Sequence, residues 1–294
     1  MYQCCTHSNM NAMNDKVSVP LWSHIGAIMR KVIPFGLRVE ILRGRRFIDD
    51  IQYRTLISRK RTSREAFTHQ LVEGSSPLRR PGTISSITLQ KGKEHNVRLV
   101  AGAICGLVLQ PGELFSYHAL VGRPSRLRGF ALGLELHDRQ ESAGIGGGSC
   151  QVSNLLYWLG IRAGFTIVER HRHAFDLFPD HCRTVPFGCG ATVFFNYHDL
   201  RMQNPHKEAI RIGLKIEDGN LHGEICTKTD MGLSISIREV NHRFVKKPDG
   251  VVWRENEIHR TIRNKRGKLL RQEILAHNRG RVQYPVPDDL VELT

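Results

Sequence analysis

Several absences bound what this chain is. No apolar run approaches the ~20 residues that cross a bilayer; the nearest, residues 25–29, is interrupted at once by Arg30 and Lys31. Residues 1–16 carry Cys4, Cys5, asparagines and an aspartate, without the early basic stretch and long apolar core of a secretory signal. The 7 cysteines are an odd number at irregular spacing, which suits reduced thiols better than a disulfide framework. These features predict a protein that is cytoplasmic or peripheral to the inner membrane face. His171, His173, His181, Cys182 and Cys189 crowd one stretch, but none of them forms a Cys-x-x-Cys or His-x-x-x-His pair. Zinc is therefore a second alternative only, and no metal is assigned. There is no internal repeat, no low-complexity tract and no phosphate loop, because the glycine run lacks the lysine that a P-loop needs; no cofactor is expected. Negative charge is also short, with 28 Asp+Glu against 43 Lys+Arg and a net charge of +15. That balance favours an anionic partner. Without zinc-finger spacing or an aromatic RNA-binding run, nucleic acid is excluded as that partner, which leaves wall polymer or an anionic membrane surface. Oligomeric state is left open.

What the chain does have is a cysteine behind three glycines, Gly144-Ile145-Gly146-Gly147-Gly148-Ser149-Cys150-Gln151. Glycine permits positive φ and close approach of a substrate. From Gln151, Val152, Leu155, Leu156 and Leu159 follow helical spacing as far as Gly164, a suitable residue just past a helix C-terminus. Cys150 is thus expected in the first turn of a helix, where the macrodipole favours a thiolate and lowers the thiol pKa. The competing reading is a structural cysteine beside packing glycines. The next segment, Phe165 to Phe175, reads as a strand whose alternation places Glu169, His171 and His173 on one face and Arg170 and Arg172 on the other. Folded back beside the helix, it would offer Cys150 an imidazole base.

The order of several segments resembles the VanW family: Leu109-Gln110-Pro111-Gly112-Glu113-Leu114-Phe115-Ser116-Tyr117, Val121-Gly122, the glycine-cysteine run through Tyr157, Glu169-Arg170 with His173, Gly190-Ala191-Thr192-Val193, and Asp199-Leu200. The resemblance covers roughly residues 93–230. It implies an accessory protein of glycopeptide resistance, acting on or near peptidoglycan. It also implies cysteine acyl transfer of the L,D-transpeptidase type on peptide stems, with Cys150 as nucleophile and His173 as its histidine. Gly146, Gly147, Gly148, Ser149, Gln151, Tyr157 and Arg170 are then the candidate residues for substrate binding. Two departures stand out. The family's His-Ser is His173-Ala174 here, and its Gly-Arg-Asp-Ala-Thr-Val is Gly188-Cys189-Gly190-Ala191-Thr192-Val193, without arginine or aspartate. Glu169 is the carboxylate placed to substitute. The alternative is a non-catalytic binding module for a peptidoglycan precursor or glycopeptide.

The expected fold is α+β, a mixed or antiparallel sheet packed on a helix whose N-terminus carries the cysteine. Residues 1–82 form a basic, largely helical lead, with Gly74-Ser75-Ser76-Pro77 and Arg79-Arg80-Pro81-Gly82 as linker or turn. Residues 83–230 form the core, with a helix through Val97, Val100 and Ile104 and a hairpin turning at Asp218-Gly219. Residues 231–294 are a β-hairpin extension with turns at Pro248-Asp249-Gly250 and Lys265-Arg266-Gly267.

Overall fold

The computed structural model describes residues 34–79, 86–137, 140–173 and 175–293. The readings made above on residues 1–33, on 80–82 and on Ala174 lie outside them. Helix α1 (Phe35–Asp49) supplies a helical lead; considered by itself, it exposes Leu37, Ile41 and Ile48, four and seven residues apart on one stripe. The second unit begins at Asp49.

The second unit is α+β with several antiparallel sheets and a C-terminal half-barrel. One sheet has the order β1-β10-β9-β2, formed by β1 (His69–Pro77), β2 (Val108–Leu109), β9 (Ile210–Glu217) and β10 (Asn220–Thr227). The β9–β10 turn uses Asp218 and Gly219, both at positive φ, as a tight hairpin of this twist requires. The stretch Gly74-Ser75-Ser76-Pro77, expected as linker, is instead the second half of β1, with Gly74 opposite Gly223 and Pro77 opposite Asn220. Turn-rich composition gives way here because β1 is an edge strand, where proline costs no ladder bond. Gly74 and Gly223 also leave room for Leu155 and Leu159 of the cysteine helix; a Cβ on Gly223 would lie 2.6 Å from Leu159 Cδ1.

Two helices fill the centre. Helix α2 (Ile87–Ile104) buries Val97, Val100 and Ile104 completely, and α4 (Ser149–Arg162) buries Val152, Leu156, Leu159 and Ile161. At ~25 cal/mol per Å² of apolar surface, each such side chain contributes about 1.5–3 kcal/mol before entropy is charged against it. Gly164, at φ 84°, ends α4 as its position in the sequence foretells. A short helix α3 (Tyr117–Val121) follows β3 (Leu114–Ser116), and the hairpin β4 (Leu132–His137)–β5 (Gln140–Ile145) feeds directly into the glycine run.

The single strand expected from Phe165 to Phe175 is broken. β6 (Thr166–Glu169) pairs with β8 (Arg201–Gln203) through a bulge between Ile167 and Glu169, and His171 makes only an isolated bridge to Thr192. β7 (Phe175–Asp176) then joins a different sheet, parallel to β13. Pattern alone does not show the bulge, which ends the alternation. The C-terminal strands β11 (Leu233–Lys246), β12 (Val252–Asn264) and β13 (Leu269–Val282) form an antiparallel meander, with β14 (Val291–Leu293) on its edge. This sheet docks on α4. Ile258 is fully buried, and the buried Arg260 donates to the carbonyls of Ile161 at 3.2 Å and Phe165 at 2.8 Å, capping the end of that helix.

Candidate functional site

Cys150 occupies the first turn of α4, as its sequence requires. Gly146 and Gly148 adopt φ of 86° and 97°, which disfavour any other residue. The run is also pressed between protein backbones. A Cβ on Gly147 would collide with the Gly133 carbonyl of β4, and one on Gly148 would come within 2.5 Å of Lys93 Cγ on α2. Gly146 and Gly147 are buried, so their close approach is to the protein's own chain. Ser149 Oγ donates to Gly146 O at 2.5 Å, and Gln151 Nε2 donates to Ser76 Oγ and Pro77 O, both at 2.8 Å, tying α4 to β1. The Gln151 amide donates to Gly148 O at 2.9 Å. Of the helix-start amides, that of Cys150 is left as the candidate oxyanion donor.

Cys150 is half-buried as a residue, with Sγ 3.7 Å from the Val193 carbonyl. That wall is held firmly. Ser153 Oγ donates to Ala191 O at 2.7 Å, and Asn154 Oδ1 accepts from Ala191 N at 2.8 Å. Arg170 donates to Gly190 O at 2.9 Å and to Gly188 O, and its guanidinium lies 4.9 Å from the ring of the buried Tyr157. Arg170 and Tyr157 therefore brace the 188–193 segment from within. Burial pushes the Cys150 thiol up, and the charge of Glu135 acts in the same direction. This corrects the lowered pKa expected from the helix start: desolvation and a neighbouring carboxylate outweigh a macrodipole worth about 0.3–1 kcal/mol.

Of the three residues expected on one strand face, the structure joins two. His171 Nε2 lies 2.9 Å from Glu169 Oε1, and that carboxylate also accepts from Asp199 N at 3.0 Å and stands 3.5 Å from Arg201. The His171 ring stacks 4.0 Å from His198. His173 lies beyond the break in the strand and is exposed, but the protein crowded around its ring, followed by the Arg170 charge, pushes it down to about 4. No hydrogen bond joins Cys150 to His171 or His173 among the described residues.

Three neighbours escape sequence reasoning. The buried Tyr117 of α3 donates its hydroxyl to Ser149 O at 3.2 Å; burial pushes its phenol up, and Cys150 is the first charge to act on it. Asp199 is buried, accepting from Ser116 Oγ at 2.6 Å, His118 N at 3.0 Å and Arg201 Nε at 2.9 Å. Glu135 lies over the glycine run, its carboxylate occupying the space a side chain at Gly144 would need. Tyr117 and Asp199 stand in segments that carry the VanW resemblance; Glu135 has no such signal. Among the described residues, no three His, Cys, Asp or Glu side chains are grouped to hold a metal, and no helix is long and apolar enough to cross a membrane.

Residues 92–226 match the family described as VanW like protein. The matched stretch is a VanW-family domain. Val193, Glu135 and Tyr117, which act on or are acted on by Cys150, lie within the VanW match, whereas Ser76 and Pro77, which hold Gln151, precede it. Over 220 residues, 75% of this chain and 80% of the relative, it is 25% identical to the Vancomycin B-type resistance protein VanW of Enterococcus faecalis. It is 36% identical over 134 residues to the Uncharacterized protein YoaR of Bacillus subtilis, covering 45% of this chain and 42% of that one. No solved structure matches.

Proposed function

We propose that this VanW-family protein is an accessory protein of glycopeptide (vancomycin) resistance that acts on peptidoglycan peptide stems by acyl transfer through Cys150. The observation that carries the reading is a half-buried cysteine in the first turn of α4, inside the matched region and beside a helix-start amide. The thiol rests protonated. Once a stem peptide is bound, the proton passes to an imidazole. On this reading the acceptor is His173, the histidine of the family pattern, and His171, oriented by Glu169, is the other imidazole of the same segment. The sulfur attacks a peptide carbonyl, the Cys150 amide stabilises the oxyanion, and the C–N bond breaks as His173 returns the proton to the leaving amine. An incoming amine then attacks the thioester, forming a new amide and restoring the thiol. With water as acceptor, the product is a shortened stem. Incubation with muropeptides should give cross-linked or trimmed products that vanish in Cys150→Ala.

Binding without turnover is the second reading. It is favoured by the raised thiol and by the lack of a hydrogen bond from either histidine. Under it, Cys150→Ser retains both stem binding and the cellular phenotype.

A further inference from the structure

At the turn end of the β12–β13 hairpin, the usual alternation of buried and exposed positions fails. Leu269, Leu270, Arg271 and Gln272 are all exposed in succession, so both faces of β13 stand in solvent there. Leu269 is 45% exposed, Leu270 52% and Ile274 50%, making an apolar edge on a chain otherwise rich in charge. Cations surround it. Lys265 pairs with Asp230 at 2.6 Å and Arg271 with Glu273 at 2.7 Å. Arg263, Arg266 and Lys268 are exposed and have no carboxylate within ion-pair distance among the described residues; Arg263 donates only to the Gly267 carbonyl, at 2.9 Å.

We infer that this hairpin tip docks on an anionic lipid bilayer, with Arg263, Arg266 and Lys268 at the headgroup phosphates and Leu269 and Leu270 entering the interface. Uncompensated cations match a negative surface, and their attraction adds to that of the +15 chain. The leucines decide between surfaces. A soluble anionic polymer satisfies the cations but gives two exposed leucines nowhere to go, whereas the boundary between headgroups and acyl chains accepts both. The surface lies outside the VanW match and does not depend on Cys150 chemistry.

The test is co-sedimentation of the full chain with phosphatidylglycerol–phosphatidylcholine vesicles and with pure phosphatidylcholine vesicles. Binding to the anionic vesicles alone is expected. Arg266→Glu with Lys268→Glu should weaken it by about tenfold or more. Leu269→Ser with Leu270→Ser should weaken it several-fold while leaving polyphosphate binding unchanged, and a control pair on α2, Lys91→Glu with Arg98→Glu, should bind as the unaltered chain does. These sites are exposed, and circular dichroism checks that each variant is folded. Equal binding by the hairpin variants overturns the inference, as does leucine-independent binding that polyphosphate competes away.

Discussion

At Cys150, two electrostatic effects oppose each other, and burial wins. The macrodipole of α4 favours a thiolate, but burial of the sulfur, with the charge of Glu135 beside it, opposes one. Alkylation of Cys150 by iodoacetamide should therefore follow a pH profile with its midpoint above the ~8.5 of a free cysteine. Mass spectrometry of the labelled peptide measures it, and a midpoint below ordinary would show a thiolate held ionised. Asp199 carries a different load. It gathers Ser116, His118 and the buried Arg201; Arg201 keeps Asp50 at 2.6 Å and Glu169 at 3.5 Å, so Asp199→Ala leaves buried donors unsatisfied rather than a bare charge and should cost about 1–3 kcal/mol in urea unfolding. The sequence announces Cys150 through its glycines, whereas Glu135 acquires its place only when β4 lies against the loop. The pairing of Glu169 with His171 is legible from strand alternation; the separation of His173 is not, because it depends on a bulge.

At the scale of elements, glycines mark where backbones touch. Gly92 on α2 sits so close to Leu132 of β4 that a Cβ would collide with its carbonyl, while Gly102 on the same helix meets nothing within 4 Å. Gly92→Ala should destabilise by about 1–3 kcal/mol through overpacking, and Gly102→Ala should stabilise by up to ~1 kcal/mol through helix propensity. Thermal unfolding of the two variants separates packing from propensity. Composition does not distinguish these glycines, nor does it show that Gly74 and Pro77 belong to a strand. The Asp218-Gly219 hairpin, by contrast, is fully legible, since its turn demands positive φ at both residues.

For the whole molecule, the C-terminal sheet is part of the structural core around α4. It contributes Ile258 to the main apolar cluster and Arg260 to the helix end, and it takes β7 as an edge strand from the region before residue 230. The turns predicted at Asp249-Gly250 and Arg266-Gly267 are found, but a hairpin pattern cannot say what the hairpins pack against. Buried thiols add a pH dependence to the folded state. Burial pushes Cys189 up to about 12 and Cys226 up to about 11. An unfolded chain ionises these near 8.5, so the unfolded state loses protons first. The stability they contribute is complete below that pH and is lost as pH rises towards 11–12. Alkaline unfolding should move to higher pH in Cys189→Ala if that variant packs as well as the parent.

The proposal of acyl transfer rests on whether Cys150 becomes covalently attached to a peptide stem. Intact-mass and peptide mass spectrometry after incubation with muropeptides should reveal a thioester adduct on Cys150, slower to form in His173→Ala and absent in Cys150→Ala. A protein that binds the same muropeptides but never carries the adduct, with Cys150→Ser binding equally well, would contradict it.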